Sequence, residues 1–166
     1  MKPTQSRIER GNKKMEKKTN RGFKFEKDYS KFSGYSRQYS NLSHKDCGDL
    51  VDNFGNHFQL KVKDGQMTIP NGINPANPLE TLLHRVDAEK ADFFIVGIEK
   101  RGKWETFTFT KEAFKSLITD NTGLWKVEET STTGVYHFRF KFSLSKGNAF
   151  MMRRYSEKVE KIAISE

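Results

Sequence analysis

The stretch Gly48-Asp49-Leu50-Val51-Asp52-Asn53-Phe54-Gly55-Asn56-His57-Phe58-Gln59-Leu60-Lys61 decides how this chain is read. From His57 to Lys63 the residues alternate. Phe58, Leu60 and Val62 fall on one face and Gln59, Lys61 and Lys63 on the other, which is the pattern of a half-buried strand. Gly55 with Asn56 supplies a turn before it, and Leu50 with Val51 make the other arm of a hairpin. Because strand side chains repeat with period two, Lys61 lies on the same face as Gln59. An Asp on one arm and an amide oxygen on the facing arm can converge on one hard cation, which takes oxygen ligands, with an ammonium beside it.

Outward from the hairpin, 65–78 carries Pro70, Asn71, Gly72, Asn74, Pro75 and Asn77 and reads as a loop. Asn77 can cap a helix with Pro78 in its first turn, running through Leu79, Leu82, Leu83 and Val86. The run from Asp92 to Ile98 is almost continuously apolar, as in a central strand buried on both faces. Arg101 and Gly102 turn the chain into a strand from Trp104 to Thr110, and a short helix follows from Lys111 to Ile118. A long strand is predicted over Val135 to Leu144. Tyr136, Phe138, Phe140, Phe142 and Leu144 point inward there, and His137, Arg139 and Lys141 outward. Lys146 and Gly147 then turn the chain into a last strand around Ala149 to Tyr155. The inventory predicts a mixed α+β (α/β) fold in which helices flank a central mixed β-sheet.

At 166 residues the chain suits one domain of moderate size. Only 34% of residues are hydrophobic, but 14 Phe, 5 Tyr and 2 Trp let a few large side chains fill a core. The formal charge of +9 favours polyanions, nucleic acid first, because neutralising phosphates releases condensed counterions. That charge is concentrated at one end: residues 1–31 hold 11 Lys or Arg against 4 Asp or Glu, a net +7. Residues 1–31 therefore read as a basic N-terminal arm or weak helix, from about Thr4 to Lys18, and 32–166 as the folded domain. Between Arg21 and Asn41 the aromatics Phe23, Phe25, Tyr29, Phe32, Tyr35 and Tyr39 interleave with basic residues. They either tack an extended segment onto the core or stack on bases.

A single cysteine, Cys47, makes no intrachain disulfide and fits a reducing compartment, so a cytoplasmic location is expected. Neither a secretory signal nor a spanning helix is expected, because no stretch approaches about 20 apolar residues.

Hydrolysing a phosphodiester requires a cation that neutralises phosphoryl oxygens and lowers the pKa of an attacking water. The arrangement Asp49, nine residues, Gln59, one residue, Lys61 supplies the groups for it. Over this stretch the chain resembles the PD-(D/E)XK nuclease superfamily, and within it the PvuII-type restriction endonucleases. The likeness covers the Val-Asp-Asn before the turn, its Gly, the aromatic Phe58 before the second ligand, and the Leu between that ligand and Lys61. Past these residues it continues only as an order of elements.

The resemblance implies a restriction-endonuclease-like fold and a Mg²⁺-dependent endodeoxyribonuclease, with Mn²⁺ able to substitute, acting on double-stranded DNA as a homodimer. Asp49 and Gln59 would be metal ligands, the carbonyl of Leu60 would complete the site, and Lys61 would assist water attack. The chain departs from the pattern at Gln59, where the family usually has Glu, so metal affinity should fall. Gln-X-Lys variants are nevertheless found among active members, including a transposition endonuclease and some homing endonucleases. The histidine-rich base-reading stretch of the PvuII type has no counterpart between Val62 and Asn77. The alternatives are a non-catalytic DNA-binding protein that keeps the fold, and a homing or structure-specific nuclease.

Lys63, His57, Arg139 and Lys141 are the candidate DNA contacts, with Arg153 and Arg154 of similar character. Asp46 and Asp52 stand close enough in sequence for a water-mediated metal contact, although Asp52 also reads as a turn-entry residue. His44, His57, His84 and His137 show no zinc spacing with Cys47.

Overall fold

The computed structural model describes residues 21–37, 49–68, 72–74, 76–130, 134–142 and 145–165. The weak helix expected over Thr4 to Lys18, and the expectations for Tyr39, His44, Asp46, Cys47 and Leu144, lie outside these residues. A helix α1, described over 21–33, comes first. It is followed by β1 (Ser36–Arg37), β2 (Leu50–Val51), β3 (His57–Val62), β4 (Gln66–Thr68) and helix α2 (Pro78–Ala88). The chain continues through β5 (Phe93–Lys100), β6 (Lys103–Thr110), α3 (Lys111–Asp120) and a 3-10 turn (Thr122–Leu124). It ends with β7 (Trp125–Glu129), β8 (Tyr136–Phe140), α4 (Lys146–Tyr155) and β9 (Lys158–Ala163).

The apolar run in β5 lies where its composition predicts, inside a sheet covered on both faces. Six strands are ordered β1-β2-β3-β5-β6-β9. β3 and β5 pair in parallel and the other neighbours are antiparallel, so the sheet is mixed. On one face Phe25 and Tyr29 of α1 pack with Leu50, Phe58, Leu60, Ile95, Trp104 and Ile162. On the other, Phe94, Val96, Ile98, Phe107 and Phe109 pack with residues of α2, α3 and α4 and of a second sheet, ordered β4-β8-β7. Alternate residues of β5 therefore enter two different cores, which is why its sequence shows no polar face. The fold is mixed α+β, as the sequence predicts.

The helix starts follow capping chemistry. The Asn77 side chain accepts from Glu80 N–H at 3.2 Å ahead of Pro78, and Thr110 Oγ1 accepts from Ala113 N–H at 3.1 Å to open α3.

Four expectations are overturned. The stretch read as a loop from Gly65 opens with the short strand β4 (Gln66–Thr68), which pairs antiparallel with β8. Residues 21–33 form a helix rather than an extended segment: Phe25, Asp28 and Tyr29 are buried at i, i+3 and i+4. The long strand from Val135 shrinks to β8 in the second sheet, with Phe138 and Phe140 buried but Tyr136 41% exposed, and His137 is buried rather than outward. The last strand around Ala149 is the helix α4. Ala149 and Met152, three apart, are buried while Phe150 is 62% exposed, a pattern of period 3.6 in a segment rich in helix formers. The final strand is β9, beyond it.

Polar ties pin α1 down. The buried Asp28 carboxylate accepts from Trp104 Nε1 at 2.8 Å and from Ser165 N–H at 3.2 Å, and Tyr29 Oη donates to Glu160 Oε1 at 3.0 Å. The helix sits close because β5 offers a glycine beneath it. A Cβ at Gly97 would stand 2.5 Å from Phe25 Cζ, well short of the normal carbon–carbon contact distance. Gly97→Ala should therefore destabilise the fold by about 1–3 kcal/mol, as over-packed cores do. Adding Phe25→Leu should recover part of the loss, and chemical denaturation of both variants checks this.

Candidate functional site

Local chemistry shapes the hairpin before tertiary packing does. Asp52 Oδ1 accepts from the N–H groups of Phe54 and Asn56, both at 2.9 Å, and Oδ2 accepts from Asn56 Nδ2 at 3.0 Å. Gly55 takes φ +85°, which a side chain would strain. Desolvation, the largest single influence, raises the Asp52 carboxyl, but these bonds together outweigh it and hold the group below the usual range. Asp52 is thus the turn-entry residue, fully engaged in the turn. Phe54, at the tip, is 91% exposed.

The turn delivers Asp49 to the edge of β3. Asp49 N–H donates to Phe58 O at 2.8 Å, and Asp49 Oδ2 accepts from Leu60 N–H at 2.8 Å. A strand residue's N–H and C=O point to the same edge. The Leu60 carbonyl therefore opens on the edge where Asp49 lies. Gln59 and Lys61 occupy one face of β3, opposite Phe94 and Val96 of β5 in the parallel ladder, while Phe58 and Leu60 are buried against the α1 side. Asp49, Gln59, Lys61 and the Leu60 carbonyl, the four groups picked out in the sequence, are brought together around one strand.

Two further carboxylates lie within electrostatic reach of them, Glu26 of Asp49 and Glu89 of Lys61, without any motif to announce it. Glu26 of α1 feels the Asp49 charge; burial raises its carboxyl, a hydrogen bond from Arg37 at 3.1 Å offsets this, and Asp49 raises it again. Glu89, at the end of α2, is 3% exposed. Its Oε1 pairs with Arg85 at 2.8 Å and its Oε2 has no hydrogen-bond partner among the described residues. The only signal in the sequence is an acidic residue just past an amphipathic helix, which is too common to read.

Lys61 stands among these charges. Burial of its ammonium lowers the amine below the ordinary lysine range, Asp49 and Glu89 pull it back up, and Arg85 pushes it down again.

Among the described residues no three His, Cys, Asp or Glu side chains are placed to hold a metal ion together. A cation here would draw on the Gln59 amide and the Leu60 carbonyl besides carboxylate oxygen. The donors are all oxygens, as Mg²⁺ requires, and Glu89, whose charge reaches Lys61, has a buried carboxylate oxygen without a hydrogen-bond partner among the described residues, so the residues fit such an ion.

The candidate nucleic-acid contacts are spread more widely. His57 lies on β3, two residues from Gln59, with its N–H on Asp92 Oδ2 at 2.8 Å. Lys63 falls beyond the end of β3 and lines a cleft with Arg21, Gly97, Glu99 and Trp104, so the strand alternation does not extend to it. Arg139 belongs to the second sheet and pairs with Glu128 at 2.7 Å. Lys141, just beyond β8, pairs with Asp64 at 3.4 Å. Arg153 pairs with Glu105 at 3.2 Å. No model of a known protein family matches the chain, and none of the curated proteins matches it. Among the described residues no helix is long and apolar enough to cross a membrane.

A lysine whose folded value is depressed makes the fold more stable as pH rises. Between its folded and unfolded pKa the unfolded chain holds the extra proton, and below the folded value the native state bears a desolvated charge. Lys61→Met should accordingly melt higher than wild type in metal-free buffer at pH 7, by about 2–4 °C if the relief is ~1 kcal/mol. The gap should close as pH approaches the unfolded lysine value near ~10.4. Equal melting temperatures at pH 7 would contradict the cost assigned to this ammonium.

Proposed function

We propose that this chain is a Mg²⁺-dependent endodeoxyribonuclease of the PD-(D/E)XK kind, hydrolysing phosphodiester bonds of double-stranded DNA as a restriction-type homodimer. One observation carries the reading: the Asp49 carboxylate is seated on Leu60 N–H, at the edge of the strand whose face presents Gln59 and Lys61. The order of hairpin, helix α2 and parallel strand β5 supports it, as does the charge of +9.

Asp49, the Gln59 amide oxygen and the Leu60 carbonyl would hold the ion. When bound, Mg²⁺ supplies charge neutralisation at the scissile phosphate and acidifies the attacking water. Lys61 faces the same space and can donate to that water or to a phosphoryl oxygen, stabilising the charge that builds there. Lys63, His57, Arg139 and Lys141 are the residues we assign to phosphate contact, which positions duplex without reading bases.

A second reading, a non-catalytic DNA-binding protein, is favoured by one residue: Gln59 supplies an amide where a carboxylate would attract the cation more strongly. Supercoiled plasmid incubated with Mg²⁺ or Mn²⁺ separates the two. Nicking by wild type, reduced at least about a hundredfold in Asp49→Ala and Lys61→Ala, is expected of the enzyme. Retarded migration without any nicking under either metal would establish the binding protein instead.

A further inference from the structure

A cation bound only by Asp49, the Gln59 amide and the Leu60 carbonyl would meet a single negative charge, and Lys61 balances it. Hard divalent cations are won by carboxylate oxygens, so the hairpin alone is a poor trap for one.

The end of α2 holds what the hairpin lacks. Glu89 is 3% exposed; Arg85 Nη1 occupies its Oε1 at 2.8 Å, and Oε2 is buried without a hydrogen bond among the described residues. A buried carboxylate oxygen left unpaired bears its full desolvation cost, and an ion or water is the usual resolution. The backbone around it is fixed. Glu89 N–H donates to Val86 O at 3.2 Å, and Lys111 Nζ donates to the carbonyls of Glu89 at 2.6 Å and Asp87 at 3.3 Å. The helix also lies on the correct side of the sheet. Its Leu82 and Val86 share a core with Phe94 and Val96, the ladder partners of Gln59 and Lys61. Glu89 and Lys61 are close enough for their charges to interact.

We propose that Glu89 is the second carboxylate of the cation site, its Oε2 supplying the negative charge that Gln59 lacks. Arg85 holds Oε1 and leaves the other oxygen open, so the site draws one acidic ligand from the hairpin and one from the helix end. This rests on the nuclease reading of the hairpin, and the experiment separates the two claims.

Calorimetric titration of the full chain with Mn²⁺ alone, without DNA, is the measurement. Glu89→Gln keeps the size of the side chain and an acceptor for Arg85; it should melt like wild type and bind Mn²⁺ at least about tenfold more weakly. Adding Gln59→Glu to that variant should restore the affinity, because the missing charge returns on the strand. Wild-type affinity in Glu89→Gln, with binding lost in Asp49→Ala, would overturn the role of Glu89 while leaving the hairpin site intact. Wild-type affinity in Asp49→Ala as well would overturn both. If Glu89→Gln fails to fold, Arg85→Gln provides the test: it unloads Oε1 and should tighten Mn²⁺ binding, and an unchanged affinity would overturn the proposal.

Discussion

Parallel neighbours cannot be joined by a tight turn, so the pairing of β3 with β5 obliges the chain to leave the sheet and return, and α2 lies on that return path. Much of the candidate site follows from this. The ladder from Phe58 opposite Phe93 to Val62 opposite Gly97 fixes which β3 side chains share a face with the main core. The return path through α2 brings a helix C-terminus back beside the start of β5, where Asp92 N–H bonds His57 O at 2.8 Å. The face of β3 that carries Gln59 and Lys61 and the end of α2, where Glu89 is buried, are thereby set on the same side of the sheet by topology, before any residue there is chosen for chemistry.

The choice of residues runs against stability. Lys61 faces the same side of the sheet as Val96, which is fully buried, and its ammonium is disfavoured by that burial. Glu89 is 3% exposed, and its Oε2 has no hydrogen-bond partner among the described residues. An apolar residue in place of Glu89 would suit the core better, since half-satisfying a buried charge costs more than omitting it, and Lys61 is only half-buried. Groups of this kind held in strained electrostatic surroundings cluster where they act on a ligand. Asp52 gives the contrast: its carboxylate is saturated by the turn it makes, and the turn is all it needs to explain it.

Local patterns made much of the fold legible. The alternation in β3, the apolar run of β5 and Asn77 before Pro78 each state a local preference that packing did not override. The second half misled where period and tertiary context parted. Near Ala149 the run of Met, Phe and Arg reads equally as a strand until burial chooses Ala149 with Met152 and leaves Phe150 outside. Aromatics among the lysines of α1 disguised a helical stripe, because only Phe25 and Tyr29 are needed beneath it and Phe23 and Phe32 remain 51% exposed. The small strands β4 and β7 carry too few residues to show a period, and β7 exposes most of its length.

The candidate site divides along the same line. Asp49, Gln59 and Lys61 are legible because strand geometry fixes their spacing: two residues on β3 share a face wherever that strand is found. Glu89 is illegible because nothing in α2 fixes its distance along the chain from the hairpin. Its place depends on the length of the crossover and on where α2 ends, with Lys111 on the carbonyls of Asp87 and Glu89 and Arg85 holding the Glu89 side chain. A site that moved one charge from strand to helix end would look defective in a motif, showing only the Gln, while its charge balance was kept in three dimensions. Gln59 is then no sign of lost function by itself; what decides is whether the negative charge is still present within reach of the edge where Asp49 and the Leu60 carbonyl lie.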